Sequence, residues 1–73
     1  MVTSAQIRAA RALLSWTVRD LADSANVHRN TVTRLETDAT GQGHAANAII
    51  ATLEAAGVQF IPKNGGGAGV RLK

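Results

Sequence analysis

The chain has 73 residues, 45% of them hydrophobic and 18% charged, with one Trp, one Phe, no Tyr and no Cys. A domain this small buries only about 60% of its extended surface and without thiols has neither disulfide nor thiolate zinc site, so packed helices or self-association must stabilise it and little surface is left for a catalytic cleft. Eight Lys and Arg against five Asp and Glu leave a formal charge of +3, which admits an anionic partner, while short apolar runs and the lack of a basic-then-apolar start exclude a bilayer span and a signal peptide and predict a soluble cytoplasmic protein.

The first element opens at Thr3-Ser4-Ala5-Gln6, a Thr with a Gln three residues on, the reciprocal arrangement that satisfies free amides at a helix start. A helix from about Ser4 carries Ile7, Ala10, Arg11 and Leu14 on one stripe, so a guanidinium sits within an apolar face. Ser15-Trp16 break the pattern, and Trp16 reads as a core or hinge anchor. Thr17-Val18-Arg19-Asp20 repeats the capping signature, with an acid where the helix dipole favours one. The second helix runs from Val18 to about Ser24, with Leu21, Ala22 and Ala25 inward. A sharp turn follows at Asn26-Val27, because Asn tolerates the left-handed backbone that an abrupt helix end requires.

The third helix, about Arg29 to Glu36, sets Val32 and Leu35 on one face and Arg29, Asn30, Thr33 and Arg34 on the other. Thr37 to Gly43 reads as a loop, and a fourth helix from about Ala45 to Ala56 buries Ala45, Ile49, Thr52, Leu53 and Ala56 before Gly57 stops it. Leu13 and Ile50 lie off the main stripes, as peripheral packing or as a contact to a subunit or the tail. Beyond Gly57, two β-prone runs flank the glycine-rich stretch Lys63 to Ala68 and predict a hairpin, with Pro62 ending or edging its first strand. A lone hairpin is marginal in water, so this one must pack on the helices or pair with another chain.

Two short helices joined by a tight turn, the second with polar side chains arrayed outward, form a helix-turn-helix. The residues Leu21-Ala22, Ala25-Asn26-Val27, Val32 and Leu35-Glu36 stand at the spacing of the phage repressor and Cro family, the xenobiotic-response-element type, which the chain resembles from about Ser4 to Ala56. The tail stretch Leu53 to Val58 and its glycine-rich continuation are similar to those of many small bacterial regulators with this domain. The resemblance implies a mostly α, lambda-repressor-like bundle of four short helices (residues 1–57) with a C-terminal β-hairpin (residues 58–73). Its third helix would lie in the DNA major groove and its second across the backbone. The family's base-reading positions fall on His28, Arg29, Asn30, Thr33 and Arg34. The side chains suit that role by themselves: Arg bonds bidentately to guanine, Asn to adenine, and a Thr methyl touches the thymine methyl. Arg11 and Glu36 match a family ion pair joining the first helix to the end of the third, and each lies beside an apolar stripe where it needs an opposite charge.

The chain departs from the family at Val18, where Gln is common, at Asn26, where Gly is common, and at His28, in place of a small hydroxyl cap. Phosphate contacts are therefore expected from Thr17, Val18, Arg19, Thr40, Gln42 and His44. The partner expected is a palindromic double-stranded DNA operator read by a homodimer, whose interface would lie on the tail strands at Val58, Phe60, Val70 and Leu72. The other class of function is a protein-interaction adaptor, anti-activator or antitoxin-like, that turns the same bundle to a protein partner. His28 and His44 lack the ligand company of a metal site, no ordered nucleophile and base are present, and the Gly65 to Gly69 run lacks the Lys-Ser/Thr pair of a phosphate loop, so no catalysis, metal or cofactor is expected.

Overall fold

The computed structural model describes residues 2–37, 43–62 and 67–73. Within them, helices α1 (Ser4–Leu13), α2 (Val18–Ala25), α3 (Arg29–Thr37) and α4 (Gly43–Ala55) precede strands β1 (Val58–Ile61) and β2 (Gly69–Leu72). No described helix is long and apolar enough to cross a membrane.

The first two helices are delimited by the same local chemistry. At the start of α1 the Thr3 hydroxyl accepts from the Gln6 N–H at 3.2 Å while Gln6 Oε1 accepts from the Thr3 N–H at 2.8 Å. Thr17 and Asp20 close α2 reciprocally at 3.0 and 2.9 Å. At the other ends, the Trp16 N–H donates to the Arg11 carbonyl at 3.0 Å and the Val27 N–H to the Ala22 carbonyl at 2.9 Å. These bonds close turns through Ser15 at φ 56° and Asn26 at φ 57°, the single left-handed residue that lets a helix stop and the chain swing away. The sequence marks Asn26 for this conformation but Ser15 only as a break in periodicity. Asn26→Val places a β-branched side chain in that conformation and is expected to cost about 1–2 kcal/mol. Asn26→Gly should leave stability unchanged or raised, both read by urea unfolding.

Each helix drives two side chains to the centre: Ile7 and Ala10 from α1, Leu21 and Ala22 from α2, Val32 and Leu35 from α3, Ile49 and Leu53 from α4, joined by Val58 of β1. The small Ala10 and Ala22 leave room for close helix approach. Trp16 packs half-buried against this cluster, as do Leu14, Val18, Ala25, Val27 and Ala45. Ile50 is half-buried and Leu13 is exposed.

The fourth helix differs from expectation at both ends. It begins at Gly43, whose φ of 49° suits glycine, and stops at Ala55. Ala56 is therefore exposed rather than buried: its N–H folds back onto the carbonyls of Thr52 and Leu53 as the chain turns towards Gly57. The expected loop loses Thr37 to α3 and Gly43 to α4, and residues 38–42 lie outside the described residues.

β1 and β2 pair antiparallel, with Val58 opposite Leu72, Gln59 opposite Arg71, Phe60 opposite Val70 and Ile61 opposite Gly69. Because strand side chains alternate, Val58, Phe60, Val70 and Leu72 share one face. That face lies on the helices: Val58 is fully buried, Phe60 and Val70 pack against the core, and only Leu72 stays open at 51% exposure. The opposite face carries the Arg71 Nε to Gln59 Oε1 bond at 2.8 Å.

Gln6 joins the hairpin to α1. Its amide is 4% exposed, and Nε2 donates to the carbonyls of Ile61 at 3.1 Å and Gly69 at 2.9 Å while Oε1 holds the Thr3 cap. One side chain thus satisfies the helix start and pins the open end of the sheet. Gln6→Leu removes the acceptor of the Thr3 cap and the side-chain donor shared by two half-buried carbonyls, and is expected to destabilise the chain by about 1–3 kcal/mol. In hydrogen exchange, the loss of protection should appear first in the hairpin amides.

Candidate nucleic-acid interface

The outward face of α3 follows from how its inward face is held. Val32 and Leu35 are fully buried, and between them the helix turns Arg29, Asn30, Thr33 and Arg34 into solvent. Positions four residues apart stack on a helix, so Arg29 lies under Thr33 and Asn30 under Arg34, and the two rows together make one broad outward face spanning about 140°. His28, Asn30, Thr33 and Arg34 line a shallow concavity along it. A second concavity, where α2 meets the start of α3, is lined by Arg19, Asp23, Val27, His28 and Arg29. His28 borders both. Its ring also caps α3, Nδ1 accepting from the Asn30 N–H at 3.0 Å, while its carbonyl accepts from the Thr31 N–H at 2.9 Å.

The far end of α3 is held from α1. Arg11 grips the Glu36 carboxylate with two bonds, Nε to Oε2 at 2.7 Å and Nη2 to Oε1 at 3.1 Å, and its third nitrogen donates to the Trp16 carbonyl at 3.0 Å. The pair is sheltered, with side-chain exposures of 25% for Arg11 and 9% for Glu36. The hydrogen bond to Glu36 outweighs partial burial and raises the guanidinium above its ordinary pKa, so Arg11 is a fixed cation. One turn earlier on α1, Arg8 Nη1 donates to the Glu36 carbonyl, supplying a donor to one of the carbonyls that a helix end leaves over. The clamp thus ties α1, the turn after it and the end of the outward-facing helix into one rigid unit. Arg8's role was not expected from the sequence; its only local sign is its position three residues before Arg11.

The residues expected at phosphate are placed unevenly. The Thr17 N–H donates to the Asp20 carboxylate and its hydroxyl oxygen accepts from the Asp20 N–H, which leaves the hydroxyl proton free to donate, and the Val18 side chain packs half-buried on the core. The donors that remain there are the Thr17 hydroxyl and the amides of Val18 and Arg19, beside an Asp20 carboxylate that repels anions. Arg19 is open, its contact with Asp23 a loose 3.9 Å between side chains about three-quarters exposed. His44 is exposed in the first turn of α4, and Thr40 and Gln42 lie outside the described residues. Of the side chains expected at a subunit interface, Val58 is sealed in the core and Phe60 and Val70 face it, because the strand face that carries them is the one the helices cover.

Among protein families, a model described as helix-turn-helix matches residues 7–42. That span opens at the first fully buried residue of α1 and runs past the end of α3. No curated protein matches the sequence.

Proposed function

Because the chain belongs to the helix-turn-helix family of phage repressor and Cro type, a family of DNA-binding regulators, we propose that it is a sequence-specific transcriptional regulator, a repressor or autoregulator that reads a palindromic operator as a homodimer. The observation that carries this reading is the outward face of α3: two guanidiniums, a carboxamide and a threonine methyl, all exposed, on a helix held at both ends and along its inner face. In the major groove, Arg29 and Arg34 suit guanine O6 and N7, Asn30 suits adenine N6 and N7, and Thr33 suits the thymine methyl. Among the described residues Arg19 and His44, the Thr17 hydroxyl and the amides of Val18 and Arg19 are open to phosphate, with Thr40 and Gln42 expected beside them. Its place of action would be the cytoplasm, on the nucleoid.

One such domain covers a single half-site, so two copies would sit about 34 Å apart along the duplex. The bond from the Lys73 N–H to the Gly57 carbonyl at 2.8 Å, with the observed register, puts the ladder bonds at 57/73, 59/71 and 61/69. The main-chain groups of Val58 and Phe60 on one edge, and of Val70 and Leu72 on the other, therefore point away from the sheet. A two-fold pairing of an edge would extend the sheet across the dimer, and pairing along β2 sets the exposed Leu72 beside the seam. Deleting the hairpin would remove a fully buried core residue and confuse unfolding with dissociation. Leu72→Arg is the cleaner probe, and sedimentation equilibrium should show the dimer weakened roughly tenfold or more.

The test of the main reading is selection of preferred sites from a randomised duplex pool, followed by fluorescence anisotropy on the winning site and a scrambled one. A regulator prefers the selected site, and its affinity falls steeply with salt, each phosphate contact adding about 0.9 to the slope of log K against log salt. Equal, weak binding to both duplexes would leave the adaptor role, in which the same face meets a protein, as the better reading.

A further inference from the structure

Resting on that reading, we infer that His28 is a donor-only contact to the operator, its imidazole fixed in one tautomer by the helix it caps. Nδ1 accepts the Asn30 N–H at 3.0 Å. A ring nitrogen that accepts a hydrogen bond carries no proton, so the proton of the neutral imidazole sits on Nε2. Nε2 lies across the ring from Nδ1, and the ring is exposed on the rim between the two concavities, with Arg19, Asp23 and Arg29 on one side and Asn30, Thr33 and Arg34 on the other.

The usual hydroxyl cap has a single oxygen for both tasks, whereas imidazole divides them between two nitrogens: one caps, and the other donates towards the ligand. Turning the ring over to present an acceptor would give up the bond that closes the helix start. The DNA atom opposite His28 must therefore be an acceptor: a phosphate oxygen, or a major-groove acceptor such as guanine O6 or N7, adenine N7 or thymine O4. The exocyclic amino groups of cytosine and adenine would meet a second donor.

Two measurements test this. Long-range proton–nitrogen NMR of the whole chain should show His28 protonated at Nε2 and bare at Nδ1; a ring protonated at Nδ1 overturns the inference. His28→Ser keeps an acceptor for the Asn30 N–H, but its hydroxyl ends near the place of Nδ1 and stops short of where Nε2 reaches, so the variant should melt with the wild type yet bind the selected duplex about tenfold more weakly, the effect of one lost hydrogen bond. Duplexes carrying a single methylphosphonate, or a single base lacking its major-groove acceptor, are then compared on both proteins. One modification should weaken the wild type and have no effect on the variant, and its kind tells phosphate from base. Full affinity in His28→Ser, or no modification whose effect depends on His28, overturns the inference while the regulator reading stands. A wild type that does not discriminate between selected and scrambled duplexes overturns both.

Discussion

Glu36→Ala is expected to destabilise the chain by about 2–4 kcal/mol, read as a lower urea midpoint and melting temperature. Removing one partner of a fully buried ion pair costs about 3–5 kcal/mol, because the other charge is left without compensation. Here the Arg11 side chain keeps 25% exposure, so water softens the loss. Truncation also frees Arg11 from the two bonds that orient it, although its bond to the Trp16 carbonyl can remain. The companion Arg11→Met should be at least as severe, since it strands the Glu36 carboxylate, 9% exposed, and abandons the Trp16 carbonyl as well. The double variant Arg11→Met with Glu36→Leu separates charge from packing. Two apolar side chains need no partner, so the pair should recover much of the stability lost by either single change. Unchanged stability in Glu36→Ala would show that the clamp contributes nothing to holding α3.

What could be read from the sequence follows how far each interaction reaches along the chain. The capping boxes at Thr3 and Thr17 join residues three apart and the left-handed turn at Asn26 closes over five, from Val27 to Ala22, and their residue types state the geometry directly. The inward pairs of α1, α2 and α3 follow from helical period alone. Arg11 and Glu36 are 25 residues apart, yet each can be placed, because a charge beside an apolar stripe demands a partner and the family resemblance supplies which one. Long-range hydrogen bonds to main-chain carbonyls have no such sign. Gln6 reaches carbonyls 55 and 63 residues away, and Arg8 one that is 28 away. Any polar side chain can serve a carbonyl, so residue type does not betray the match. The hairpin shows the same division. Alternation correctly groups Val58, Phe60, Val70 and Leu72 on one face, but only packing decides whether that face meets the helices or a second copy. At Ala56 the helical period simply runs one turn too far, past the point where the chain must bend to bring Val58 inward.

Arg29→Ala and Arg34→Ala are expected to leave the melting temperature unchanged, because both side chains are exposed and neither forms an ion pair with another described residue. Their effect should appear on DNA instead. A bidentate arginine–guanine contact contributes about 1–3 kcal/mol of discrimination, so each variant should lose roughly five- to 150-fold in affinity for the selected site. The pattern of loss distinguishes the roles. An arginine that reads a base relaxes the preference at one operator position and barely affects binding to the scrambled duplex. An arginine on phosphate weakens both duplexes alike and lowers the salt slope by about 0.9. Arg34 lines the α3 concavity together with His28, Asn30 and Thr33, and should behave in the first way. Arg29 faces the α2 side with Arg19 and Asp23, where α2 would cross the backbone, so its base preference should be accompanied by a phosphate share that also lowers the salt slope. If both variants keep the selectivity of the parent chain, α3 is not the reading helix, however well the clamp holds it in place.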